Sequence, residues 1–321
     1  MDLRFLKVLT ETPSVGTACQ PVINAITRYL GEDYSSTLVP DGFCLFQKGR
    51  SRPSDLKVLF VSHMDEVGGC VYGARADGGF DTRAWGNVPE VFAEATLQAM
   101  DYLTEDPDLS FRVHGEVKEV DNEKRLVLFG EGIRAYRTVW TFDEQTVIDG
   151  DTIEGKALDP RVTLFATINA LRNVDSSEVG LLCVMAEECA MDVARKGVTY
   201  LQRHAPNLQF IANADVPSIA NLGDGRLDLP AIRIFEGRNF IDPSFGITVA
   251  DRLASEGVEF HLSAARSGSQ TLLFTPLAPT LSIALPASTV HVPRYRMSIQ
   301  GLQRCISLLE ASADGALNGA F

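Results

Sequence analysis

VGLLCVMA, residues 179–186, is an unbroken apolar run that stops on two acids, Glu187 and Glu188. A short run without polar alternation is the pattern of a strand covered on both faces, as in a parallel sheet. The pattern recurs in both directions along the chain. Upstream, residues 56–62 (LKVLFVS) read as a strand ending on His63-Met64-Asp65. Downstream, residues 208–214 (LQFIANA) end on Asp215, residues 231–235 are a further candidate, and residues 281–285 are followed after a short loop by His291. Before, between and after them lie segments of helical spacing: 18–30 closed by Gly31, 161–172 (RVTLFATINALR), 192–204, 243–256 closed by Gly257, and 298–311. Strands alternating with helices predict an α/β fold in which a mostly parallel sheet lies between helical layers.

Residues 69–153 read differently. They are rich in Gly, Asp and charged side chains, and their strand candidates (110–114, 125–129, 137–141) are short and separated by turns. A structureless span of that length is unusual in a compact domain. A small β-rich inserted domain is therefore expected, with residues 1–68 and 154–321 forming one α/β domain around it.

Composition narrows the function classes. The 321 residues are 45% apolar, enough for a substantial core. No run is long enough to span a bilayer, and the first residues lack the basic head and apolar middle of a signal peptide. Cytoplasm is the expected compartment, with no membrane partner. The six cysteines include no C-x-x-C pair and read as reduced thiols, Cys183 and Cys305 as core residues. A net charge of −13 repels phosphate backbones and argues against a nucleic-acid partner.

Ligands of open α/β sheets bind at the carboxyl ends of the strands. The strand ends of this chain deliver His63, Asp65, Glu187, Glu188, Asp215 and His291 to one sheet edge. Asp159 joins them at the start of the helix at 161–172, where a carboxylate is electrostatically favoured. Any one of these residues alone is more often a turn, cap or solvated side chain. Their arrival together is what points to a site. Two His and several carboxylates suit Zn, Co or Mn, with no thiolate required. Two such ions about 3.5–4 Å apart can share a carboxylate and activate a water. Of two adjacent Glu, one can bind metal while its neighbour takes the proton. Asp65, two residues past His63, can orient the imidazole.

Several of these residues sit in segments that resemble a known family. His63-Met64-Asp65-Glu66-Val67-Gly68 resembles the H-M-D-E-[IV]-G motif of metallopeptidase family 42, the glutamyl, deblocking and tetrahedral aminopeptidases. Gly155-Lys156-Ala157-Leu158-Asp159-Pro160-Arg161 is similar to its G-K-A-L-D-D-R, Glu187-Glu188 to its E-E pair, Asn213-Ala214-Asp215 to its A-x-D, and Thr289-Val290-His291 to its late I-H. The order holds over most of the chain, including Leu9-Thr10-Glu11-Thr12-Pro13-Ser14. The resemblance implies an α/β/α co-catalytic metallopeptidase domain. It implies metal ligands at His63, Asp159 (bridging), Glu188, Asp215 and His291, with Glu187 as general base and Asp65 as orienting partner. It implies two divalent ions per subunit, Zn foremost, and a β-rich insert used in homo-oligomeric assembly, often dodecameric.

The chain departs from that pattern in places. Pro160 replaces the second Asp of A-L-D-D-R; the family's bond there is typically cis, and a cis bond costs only about 0.5–1 kcal/mol before proline, so Asp159–Pro160 is expected cis. Cys189–Ala194 replaces V-G-x-R-G-A, Gly268-Ser269-Gln270-Thr271 replaces G-T-D-A, and no Glu follows soon after His291. Arg294 and Arg296 are candidates to bind a substrate carboxylate, Arg offering a planar fork for one. The expected activity is removal of N-terminal residues from peptides. A carboxypeptidase or an N-acyl amino acid deacylase on the same scaffold is the alternative raised by the altered segments. A non-catalytic assembly protein is a third, opposed by the full ligand set.

Overall fold

The computed structural model describes residues 1–120, 122–222 and 226–321. Four parallel strands form the centre of a nine-stranded sheet, in the order Val179–Val184, Val58–His63, Phe210–Asp215, Thr280–Ala284. These are the expected apolar runs, and nearly every residue in them is buried. Antiparallel partners extend the sheet: Phe43–Lys48 and Tyr34–Val39 beyond Val179–Val184, and Ala231–Glu236 beyond Thr280–Ala284.

The two faces of the sheet have separate cores. Val58, Phe60, Leu181, Cys183, Ala212 and Leu281 pack under the helices Leu158–Val174 and Ile299–Leu317. Leu59, Val61, Leu182, Val184 and Ile211 pack under Arg195–His204. Period-two alternation thus sends neighbouring apolar side chains into opposite layers, and the result is an α/β/α sandwich. Leu158–Val174 is buried on all sides up to Leu171, which accounts for the apolar residues around its whole circumference. Among the described residues, no helix is long and apolar enough to cross a membrane.

The inserted segment is a closed six-stranded antiparallel barrel, running round in the order Gly68–Ala74, Phe80–Trp85, Glu123–Phe129, Phe111–Val120, Leu97–Asp101, Thr138–Phe142. Closure leaves no edge strand. Its core is Val71, Phe92, Leu97, Val113, Leu128, Trp140 and Phe142. Gly69 lies so close to the Trp140 ring that a side chain there would collide with it. The barrel strands end at Phe142, short of residue 153. Thr152–Gly155 instead pairs with Val147–Asp149 on one side and with Tyr295–Ser298, next to the last long helix, on the other.

Candidate metal centre

The central strands end at the same edge, and the backbone turns sharply there. Val179–Val184 runs through Ala186, which is left-handed at φ 61°, into the short turn that carries Glu187 and Glu188. Ala157 is also left-handed, Asp159 leaves helical geometry (φ −88°, ψ 114°), and the Asp159–Pro160 bond is cis, as expected from the sequence. The helix therefore runs regularly only after Pro160, and Asp159 projects from a kink at its start.

The side chains converge into two triads, His63–Asp159–Asp215 and Asp159–Glu188–His291, whose candidate donor atoms lie within 4.8 Å of one another. Asp159 is common to both. Its Oδ1 lies 3.3 Å from His63 Nε2 and its Oδ2 3.7 Å from His291 Nε2. His63 Nε2 is also 3.6 Å from Asp215 Oδ1, and His291 Nε2 is 3.2 Å from Glu188 Oε2. Glu187 belongs to neither triad; its Oε2 lies 4.0 Å from His63 Nε2.

Each ring is held from behind. Asp65 Oδ1 is 3.3 Å from His63 Nδ1, and the same carboxylate accepts the backbone N–H groups of Glu187 (2.9 Å) and Glu188 (3.1 Å). One buried side chain thus positions the imidazole and the acidic pair together. His291 is held from the barrel. Its Nδ1 lies 3.0 Å from the Gly86 carbonyl, and Asn87 Nδ2 donates to the His291 carbonyl at 2.6 Å. Gly86 is left-handed at φ 87°, and a methyl there would collide with Val67, so only glycine fits. The backbone N–H of Asp159 donates to the Tyr295 hydroxyl at 2.7 Å. Sequence reading missed Gly86, Asn87 and Tyr295, since nothing local marks a barrel turn as the partner of a histidine 205 residues away.

The electrostatics are those of an acid cluster short of positive charge. Burial opposes protonation of His63, but Glu187, Asp159, Asp215 and Asp65 outweigh it and hold its pKa well above the usual imidazole range. Burial likewise opposes protonation of His291, while Asp159 and Glu188 lift it to about 11. Burial, with Asp159, raises Glu188 to about 7 against the pull of His291. Burial, with Asp215, Glu188 and Asp159, holds Glu187 well above the carboxylate range despite His63. Asp215 moves the other way: burial would raise it, but His63 and Arg233 hold it well below. The buried Oδ1 of Asp159 has no hydrogen-bond donor. Carboxylates and imidazoles that retain protons only for want of other positive charge form a donor set that divalent cations fit.

Arg294 and Arg296 are engaged elsewhere. Arg294 pairs with Glu144 (3.0 Å) and Glu154 (3.5 Å), and Arg296 with Glu154 (2.8 Å). A cavity of about 370 Å³ lies between the barrel and the Glu187–Ala190 turn, lined by Val15, Tyr72, Trp85, Tyr102, Ala186 and Cys189 among others.

No family model and no curated protein matches the sequence. Solved structures do match it. PhTET1-12s, described as a dodecamer, superposes with a TM-score of 0.81 at 19% identity, covering 98% of this chain and 99% of its own. The chain has the fold of the TET aminopeptidases. A TET aminopeptidase from a marine sediment thaumarchaeon gives a TM-score of 0.80 at 15% identity, covering 98% of this chain and 99% of that one. An aminopeptidase from the archaeon Desulfurococcus kamchatkensis gives 0.79 at 17%, covering 96% and 93%. The TET1 peptidase of Pyrococcus horikoshii, which can assemble into a tetrahedron or a large octahedral shell, gives 0.80 at 18% identity, covering 96% and 98%.

Proposed function

We propose that the chain is a two-metal aminopeptidase that releases N-terminal residues from peptides. The observation that carries this reading is the pair of triads joined through Asp159, with Glu187 beside His63 but outside both. His63, Asp159 and Asp215 hold one divalent ion; Asp159, Glu188 and His291 hold the other. The nitrogen and oxygen donors suit Zn, with Co or Mn as alternatives. When bound, such a pair of ions polarises a scissile carbonyl and makes a nearby water a nucleophile at neutral pH.

The chain's own residues do the rest. Asp65 and the Gly86 carbonyl fix the two rings with Nε2 facing inward. Glu187 takes the water's proton and returns it to the leaving amine. The surrounding carboxylates favour a substrate's N-terminal ammonium over a carboxylate. The apolar cavity beside the Glu187–Ala190 turn falls within the range of small-molecule sites and has room for a substrate side chain. The likeness to assembling TET peptidases supports a homo-oligomer, to be checked by light scattering.

The deciding experiment is a panel of free and N-blocked peptides assayed with Zn, Co and Mn. Free peptides should be cleaved and blocked ones refused. Preference for blocked substrates would point to the deacylase alternative, and well below one ion per chain to a non-catalytic protein. Glu187→Gln should keep both ions and lose about 10²–10⁴-fold in turnover.

A further inference from the structure

One arginine does touch the cluster, and it comes from inside the sheet. Ala231–Glu236 reads Ala-Ile-Arg-Ile-Phe-Glu, an apolar strand with two charged residues, and both Arg233 (1% exposed) and Glu236 (0%) are buried. Its neighbour Thr280–Ala284 separates it from the strand carrying Asp215 and sets Ser282 opposite Arg233. Arg233 Nε donates to Ser282 Oγ at 2.9 Å and lies 2.9 Å from Glu236 Oε1. One terminal nitrogen donates to Asp215 Oδ2 at 3.4 Å and the other to Ser269 Oγ at 3.5 Å. Glu236 in turn accepts the Ser269 backbone N–H at 3.1 Å and the hydroxyls of Ser269, Thr271 and Ser282.

A guanidinium this buried cannot reach a substrate. A buried ion pair is also a poor route to stability, since desolvation can exceed the attraction gained. Its geometry indicates another use. The two oxygens of Asp215 are divided, Oδ2 toward Arg233 and Oδ1 toward His63 Nε2 at 3.6 Å. We propose that Arg233, braced by Glu236, Ser269 and Ser282, is a positioning residue that engages one oxygen of Asp215 and aims the other at the ion shared with His63. It does for Asp215 what Asp65 does for His63 and the Gly86 carbonyl for His291. Glu236 balances the guanidinium, so Asp215 keeps its charge for the ion. Ser269 and Thr271 come from the segment that departs from G-T-D-A, which gives that departure a place in the brace.

The inference rests on the two-ion reading, and its test separates the two. Metal-free protein is titrated with Co²⁺ against a competing chelator, with absorption reporting each ion and circular dichroism reporting the fold. Wild type should take up two ions; failure to do so overturns the two-ion reading itself. Arg233→Met with Glu236→Gln removes both charges together and leaves an acceptor for the three hydroxyls. It should bind one ion about 10–100-fold more weakly and the other as wild type does, the usual range for losing a partner behind a ligand. Arg233→Lys keeps Glu236 paired but lacks the fork, and should weaken the same single ion by less. If the double variant does not fold, Arg233→Lys decides. Unchanged affinities in a folded variant, or equal loss of both ions, overturns the proposal.

Discussion

Two buried charged clusters lie within a few residues of each other on the same two segments, and they are built in opposite ways. In the first, Glu66 accepts from both sides: Lys156 Nζ at 2.9 and 3.0 Å, Ser14 N–H at 3.2 Å and Thr141 Oγ1 at 2.9 Å. Arg161 donates to the carbonyl of Leu9 (2.8 Å) and to Ser14 Oγ (2.9 Å), and its guanidinium lies 3.8 Å from Glu66. Of the polar side-chain atoms of these three residues, only Arg161 Nε lacks a partner. In the second cluster, acids outnumber the two histidines and the Oδ1 of Asp159 is left without a donor. A cluster that closes on itself is a joint, here tying the helix Leu3–Glu11, the barrel and the kinked helix Leu158–Val174 together. A cluster that closes only with added positive charge is a candidate cation site. The segments 63–68 and 155–161 serve both, so the joint sets the distance from His63 to Asp159.

The sharpest way to break this contrast is to remove Glu66. Glu66→Leu strands Lys156 and Arg161, both fully buried, and should cost about 3–5 kcal/mol. The urea midpoint of metal-free protein reads it, and an unchanged midpoint would mean the joint holds nothing together. Next comes the cation site itself. Each ion at about 100 times its dissociation constant should add about 2.7 kcal/mol of stability, so chelation should lower the melting temperature. A melting curve indifferent to chelator would remove the distinction between the clusters.

Gly86→Ala tests whether the barrel belongs to the site. The added methyl meets Val67, and about 1–3 kcal/mol of overpacking strain is expected, with weaker binding of the ion at His291. Loss of stability with intact ion binding would confine Gly86 to a packing role. The smallest effect is expected from Arg294→Ala and Arg296→Ala. Their pairs with Glu144 and Glu154 are exposed and should contribute about 1 kcal/mol or less, leaving KM unchanged. A raised KM would return these arginines to the substrate.

Much of the site is legible in the chain because strand ends are local features. An apolar run announces its own termination, so His63, Glu187, Glu188 and Asp215 can be assigned to one edge without knowing strand order. The Asp159 position depended on the residues around it, Ala157 through Arg161, which mark the start of a helix. Arg233 carried a readable signal that went unused, since an arginine in the middle of an apolar strand requires a buried partner. The barrel was legible only as β-rich, because its strand order joins segments far apart in sequence.

The sequence by itself determined the layers of this protein and which carboxylates and imidazoles reach the sheet edge, because period-two burial and strand termination are properties of short stretches. Only the tertiary structure decided what stands behind each of them: Asp65 under the acidic pair, Gly86 of the barrel against His291, and Arg233 against Asp215. Those partners are chosen by contacts between distant segments. A hydrogen bond depends on angstrom-scale placement that no local pattern encodes.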